Sequence, residues 1–113
     1  MGVFETRDDA ADPLHRPLRV AVRWEEVWAE AKNLASDLPA WRIVREDAAA
    51  GTLECERSGG WLRGRARITI SVHGPQGIPS ATVSLRSQTA GALFARDRAN
   101  VREFLELFSR RVG

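Results

Sequence analysis

The chain is short of the residues that most often announce a chemistry. It has a single cysteine, Cys55, so an internal disulfide is excluded and the fold does not depend on an oxidising compartment. Its two histidines, His15 and His73, lie far apart and outside any metal-ligand spacing. Neither falls in a Ser-His-Asp or Cys-His motif. Gly59-Gly60 does not open a helix, so it makes no phosphate loop. No stretch approaches the roughly 20 apolar residues of a membrane helix, and the N-terminus lacks the apolar run of a secretory signal. Met1-Gly2-Val3-Phe4-Glu5-Thr6 fits the N-myristoylation pattern, which is loose and common. The expectation is a cytoplasmic protein with no membrane span, no metal and no cofactor.

Lysine is nearly absent as well: Lys32 is the only one. The sequence pI of about 9.5 overstates the electrostatics, because the net charge is only +2. The preference for arginine, together with abundant alanine, reads as compositional bias as much as selection for an anionic partner.

What is present suffices for one domain with a true core. The chain has 113 residues and a hydrophobic fraction of 43%. Residues 1–16 are polar, with no periodic apolar pattern, and read as a flexible N-terminal tail. Residues 17–113 read as a single α+β domain. Residues 18–22 alternate as a first strand. A helix begins near Trp24, with Glu25 and Glu26 at the positive end of its dipole, and Pro39 stops it. Trp24, Val27, Trp28, Ala31, Leu34, Ala35 and Leu38 form its apolar stripe. Strands follow at 41–46, 52–57, 62–72 and 81–87, and a closing helix carries Val101, Phe104, Leu105 and Phe108.

Alternation assigns the faces. Trp41, Ile43, Leu53, Cys55, Ile68, Ile70, Val83 and Leu85 point one way; Arg42, Glu54, Glu56, Arg65, Arg67 and Arg86 point the other. Both helices have one apolar stripe, so both must cover the apolar face. The predicted architecture is a two-layer α+β sandwich: about five antiparallel strands with two helices on one side.

Three sets of residues could carry function. Arg63, Arg65 and Arg67 form an anion-binding row, or pair across the hairpin with Glu56 (opposite Arg63) and Glu54 (opposite Arg65). No aromatic interleaves with them, so nucleic acid is not the expected partner. Trp61, after two glycines, is a candidate anchor for association with a second copy or another protein. Trp28 and Trp41 line the space between helix and sheet, where a small apolar ligand would fit, with Arg86, Asp97 and Asn100 as polar support. Asp97 is expected to cap the closing helix by accepting a backbone N–H near Asn100, Arg86 to reach Asp97, and Asn100 to bond back to the preceding loop. Cys55, predicted inward, reads as a small hydrophobe. The leading expectation is a non-enzymatic binding or interaction domain.

Several of these residues also carry a resemblance. The chain resembles a bacterial family of unknown function, number 1499 among catalogued domains of that kind, over most of residues 18–110. The shared features are Val27-Trp28 in the helix, Trp41-Arg42-Ile43-Val44 in the next strand, Asp47 and Gly51 in the turn, then Arg86-Ser87, Gly91, Asp97 and Asn100. The chain departs from that pattern at Ala90, where the family carries a second arginine, and at Arg98-Ala99, which stand between the aspartate and the asparagine. It also lacks the family's paired aspartates around residues 61–64. The resemblance implies the same fold and leaves activity open. The order of elements is also similar to a shortened helix-grip domain, a likeness of fold alone.

Overall fold

In the computed structural model of the protein, which describes residues 2–58, 65–75, 77–89 and 96–112, the alternating segments assemble into one antiparallel sheet. Its strands are β1 (Gly2–Glu5), β2 (Leu18–Val20), β3 (Trp41–Asp47), β4 (Thr52–Ser58), β5 (Arg65–His73) and β6 (Ala81–Thr89). Helix α1 (Trp24–Asp37) follows β2, and α2 (Asp97–Val112) follows β6. The spatial order is β1-β6-β5-β4-β3, and β2 also pairs with β6. The expected two-layer α+β arrangement is what forms, with six strands among the described residues where about five were expected.

The additional strand comes from the segment read as a flexible tail. Gly2–Glu5 pairs with Arg86–Thr89, and Leu18–Val20 pairs with Ala81–Val83 on the same edge of β6. The two are halves of one edge strand, broken by an excursion. At the break, the Thr6 hydroxyl accepts the Leu85 N–H at 3.2 Å, while Thr6 N–H donates to the Leu85 carbonyl at 2.9 Å. The excursion closes on itself through Arg7 N–H to the His15 carbonyl, 3.0 Å, and turns through a short 3-10 helix, Pro13–His15, capped by Asp12. Four residues are too few for alternation to register in a sequence. The free edge of β6 recruits them by backbone pairing, which leaves no side-chain signature.

Both helices lie on the face that carries Leu53, Cys55, Ile68, Ile70, Val83 and Leu85, all nearly inaccessible. Val27, Trp28, Ala31, Leu34, Ala35 and Leu38 of α1 are buried as their spacing predicts. From α2, Val101, Phe104, Leu105 and Phe108 are buried, with the Phe104 and Phe108 rings stacked at 5.7 Å. Burying each phenylalanine contributes about 1.5–3 kcal/mol. No helix among the described residues is long and apolar enough to cross a membrane.

The β4–β5 register differs from expectation. Glu56 faces Arg67 and Glu54 faces Thr69, because the strands begin to pair at Ser58 and Arg65 across a connection longer than the expected hairpin. The shift is by an even number of residues, so it changes partners without changing faces. Trp61, Arg63 and Gly91 lie outside the described residues. At the other edge, β3 has a bulge between Ile43 and Arg45, with Val44 exposed beside charged neighbours, which blunts that edge against strand pairing.

Candidate functional site

The core is apolar along most of its length and turns polar at one end. On β6 the helix-facing row runs Ala81, Val83, Leu85, Ser87, Thr89, all buried. On β4 the same row runs Leu53, Cys55, Arg57. The last members meet in one register line: Trp41 beside Arg57, Arg57 beside Ala66, Ala66 beside Thr89. Ala66 is the small residue in that line.

Six polar side chains from β4, β6 and α2 meet at this end of the sheet. Ser87 and Thr89 hydroxyls both donate to Asp97 Oδ1, at 2.6 and 2.8 Å. Asn100 Nδ2 donates to Ser87 Oγ at 3.2 Å. Arg57 Nη1 donates to Asn100 Oδ1 at 2.8 Å and to Glu103 Oε2 at 2.6 Å. The Arg57 guanidinium also stands 5.9 Å from the centre of the Trp41 ring, which stacks on Phe104 at 5.7 Å. Asp97 is 6% exposed, and its second oxygen, Oδ2, has no hydrogen-bond partner among the described residues. Trp41 Nε1 is likewise buried without one. Buried polar atoms are normally paired, so each of these two stands out.

Trp41, Asp97 and Asn100, singled out in the sequence, therefore converge. Trp28 and Arg86 do not join them. Trp28 stacks on Trp24 at 5.4 Å, and Trp24 Nε1 donates to the Val72 carbonyl at the opposite end of the sheet. Arg86 is exposed on the other face, because β6 alternation that turns Ser87 inward turns Arg86 outward. It cannot reach Asp97; Ser87 and Thr89 take its place. Asp97 receives these hydroxyls where a backbone N–H was expected, and Asn100 reaches β4 and β6; the preceding loop, to which it was expected to bond, lies outside the described residues. Arg57 and Glu103 were missed. Parity with Leu53 and Cys55 was the available signal for Arg57.

On the uncovered face, the arginines are largely paired. Arg42 Nη2 lies 2.9 Å from Glu56, Arg67 lies 3.2 Å from Glu56 and 3.7 Å from Glu54, and Arg65 lies 3.9 Å from Glu56. The hydrogen bond from Arg42, with the charges of Arg65 and Arg67, holds the Glu56 carboxyl below its usual range. Arg86 has no ion-pair partner among the described residues. Cys55 is buried, which pushes its thiol up to about 12 and makes it a poor nucleophile. Among the described residues, no group of three or more His, Cys, Asp or Glu side chains is placed to hold a metal.

Described residues line several surface depressions that open to solvent. One of them, of about 510 Å³, lies beside Trp24, Gly51 and Val72, at the end remote from Asp97. Another, about 350 Å³, borders Trp41, Arg42, Ser58 and Arg65. No known family model matches the chain, and no curated protein does.

Proposed function

We propose that this protein is a non-catalytic binding domain whose ligand site is the polar end of its core. One observation carries the reading: Asp97 presents a buried carboxylate oxygen with no partner among the described residues, inside a constellation that is otherwise well bonded. Burying such an atom unpaired costs on the order of 1–3 kcal/mol, and a ligand that fills the position removes the cost. Trp41 Nε1, also unpartnered, supports a polar ligand over the wholly apolar one that the tryptophans suggest. His73 is exposed at the far end of β5, and His15 sits in the N-terminal excursion.

Of the residues that carry the resemblance to family 1499 in the last third of the chain, Ser87, Asp97 and Asn100 belong to this site, whereas Arg86 lies on the other face and Gly91 is outside the described residues. We therefore read the chain as a divergent relative of that family. With a reduced Cys55, we place it in the cytoplasm. An anionic partner on Arg63, Arg65 and Arg67 has less support, since Glu54 and Glu56 already occupy Arg65 and Arg67.

A titration of the 15N-labelled protein with a library of small polar compounds tests the site. Saturable shifts confined to Arg57, Ser87, Thr89, Asp97 and Asn100 are expected. Shifts only on the arginine face, or none with any compound, would dismiss it.

A further inference from the structure

We infer that the ligand of this site carries a cationic N–H donor, a protonated primary amine being the simplest, and that Asp97 Oδ2 holds it. This rests on the binding reading above and adds the ligand's chemistry.

Three formally charged side chains meet in the network: Arg57, Glu103 and Asp97. Arg57 and Glu103 neutralise one another at 2.6 Å. Among the described residues, Asp97 receives only neutral donors, the two hydroxyls, and both go to Oδ1. The neighbouring Arg98 turns away, its guanidinium 5.1 Å from the centre of the Phe4 ring. No salt bridge joins Asp97 to any described residue. The N-terminus of α2 supplies roughly half a positive charge near Asp97, which offsets part of the deficit. What remains is a carboxylate oxygen, 94% of its residue buried, that lacks both a hydrogen-bond donor and a countercharge among the described residues.

An ammonium supplies both. A neutral amide supplies the hydrogen without the charge, and a quaternary ammonium the charge without the hydrogen. A carboxylate or phosphate supplies neither and is repelled. Charge-assisted hydrogen bonds in such surroundings are the strong ones, so the four probe types separate.

The experiment is a set of parallel NMR titrations at constant ionic strength with methylammonium, tetramethylammonium, acetamide and acetate. Methylammonium is expected to shift Ser87, Thr89 and Asn100 saturably, and tetramethylammonium to leave them unmoved. Asp97→Asn is expected to weaken methylammonium binding about 10- to 100-fold, the worth of one charged hydrogen bond. The wild-type comparison of the two ammonium ions decides the matter even if that variant fails to fold. If acetate or acetamide titrates these resonances more tightly than methylammonium, the ligand class is wrong and the binding reading survives. If no probe and no library compound moves them, the chain itself satisfies Asp97, and both readings fall.

Discussion

Ser87 and Asp97 are ten residues apart in the chain and meet at 2.6 Å, which ties the end of β6 to the first turn of α2 inside the core. Thr89 makes the same tie at 2.8 Å to the same oxygen. Ser87→Ala and Thr89→Val should each lower the unfolding free energy by about 1–3 kcal/mol, since each strips a donor from a buried carboxylate. The double variant should depart from the sum of the singles by about 0.5 kcal/mol or more, because the two hydroxyls share one acceptor. Urea denaturation reads both numbers. Additive losses near zero would show that the network holds nothing.

Gly51 and Gly77 both have positive φ, +71° and +79°, but only one is crowded. A Cβ on Gly51 would stand 2.5 Å from the Val72 carbonyl oxygen, the atom that also accepts Trp24 Nε1. A Cβ on Gly77 would meet nothing within 4 Å beyond its chain neighbours. Gly77→Ala should therefore cost about 1 kcal/mol from backbone conformation alone. Gly51→Ala should cost clearly more and should move the Trp24 fluorescence. Equal costs would contradict the contact.

Ala40 is a non-glycine residue with φ at 70°, between Pro39 and Trp41. Its carbonyl accepts the Ser58 N–H at 3.0 Å, which holds the turn in place. Ala40→Gly relieves the left-handed penalty of about 1–2 kcal/mol and returns part of it as chain entropy. A rise in melting temperature is expected; a fall would mean that the Ala40 methyl packs usefully.

Glu56 and Asp12 both have carboxyls held below their ordinary values of 4.5 and 3.8. For Glu56 the first cause is the Arg42 hydrogen bond; for Asp12 it is the Leu14 N–H. A lowered folded-state pKa adds stability that is present above the ordinary value and lost as pH falls through the lowered one. Stability should thus decline below about pH 4.5, and Arg42→Gln should flatten that decline. Chemical denaturation from pH 6 to pH 2.5 measures it. An unchanged slope in the variant would remove Arg42 as the cause.

Cys55 should be silent in the native state. Its thiol is inaccessible and burial raises it to about 12, so thiolate is scarce at neutral pH. Ellman's reagent should react at the rate of global opening and track urea concentration as unfolding does. Fast labelling without denaturant would show that β4 opens locally.

Much of the architecture was legible because it is written in short-range periodicity. The spacing of Trp28, Ala31, Leu34 and Ala35 marks the buried side of α1, and the alternation of Ala66, Ile68, Ile70 and Val72 marks the buried side of β5. Asp97 and Asn100 were also legible as polar residues at the start of a helix. Arg57 was not, because an arginine at the end of an apolar row reads as the strand leaving the core. β1 was not, because its pairing is made by backbone groups that every residue carries.

The amino-acid order by itself determined which side of each element is oily, since that depends on neighbours two to four positions away. It determined, too, that one covered sheet is the way to bury those sides. Only the folded molecule decided which polar groups meet. Arg57 and Asn100 are 43 residues apart. Their contact depends on strand register and on where α2 lands, and both are set by loop closure and core packing together, which no local pattern encodes.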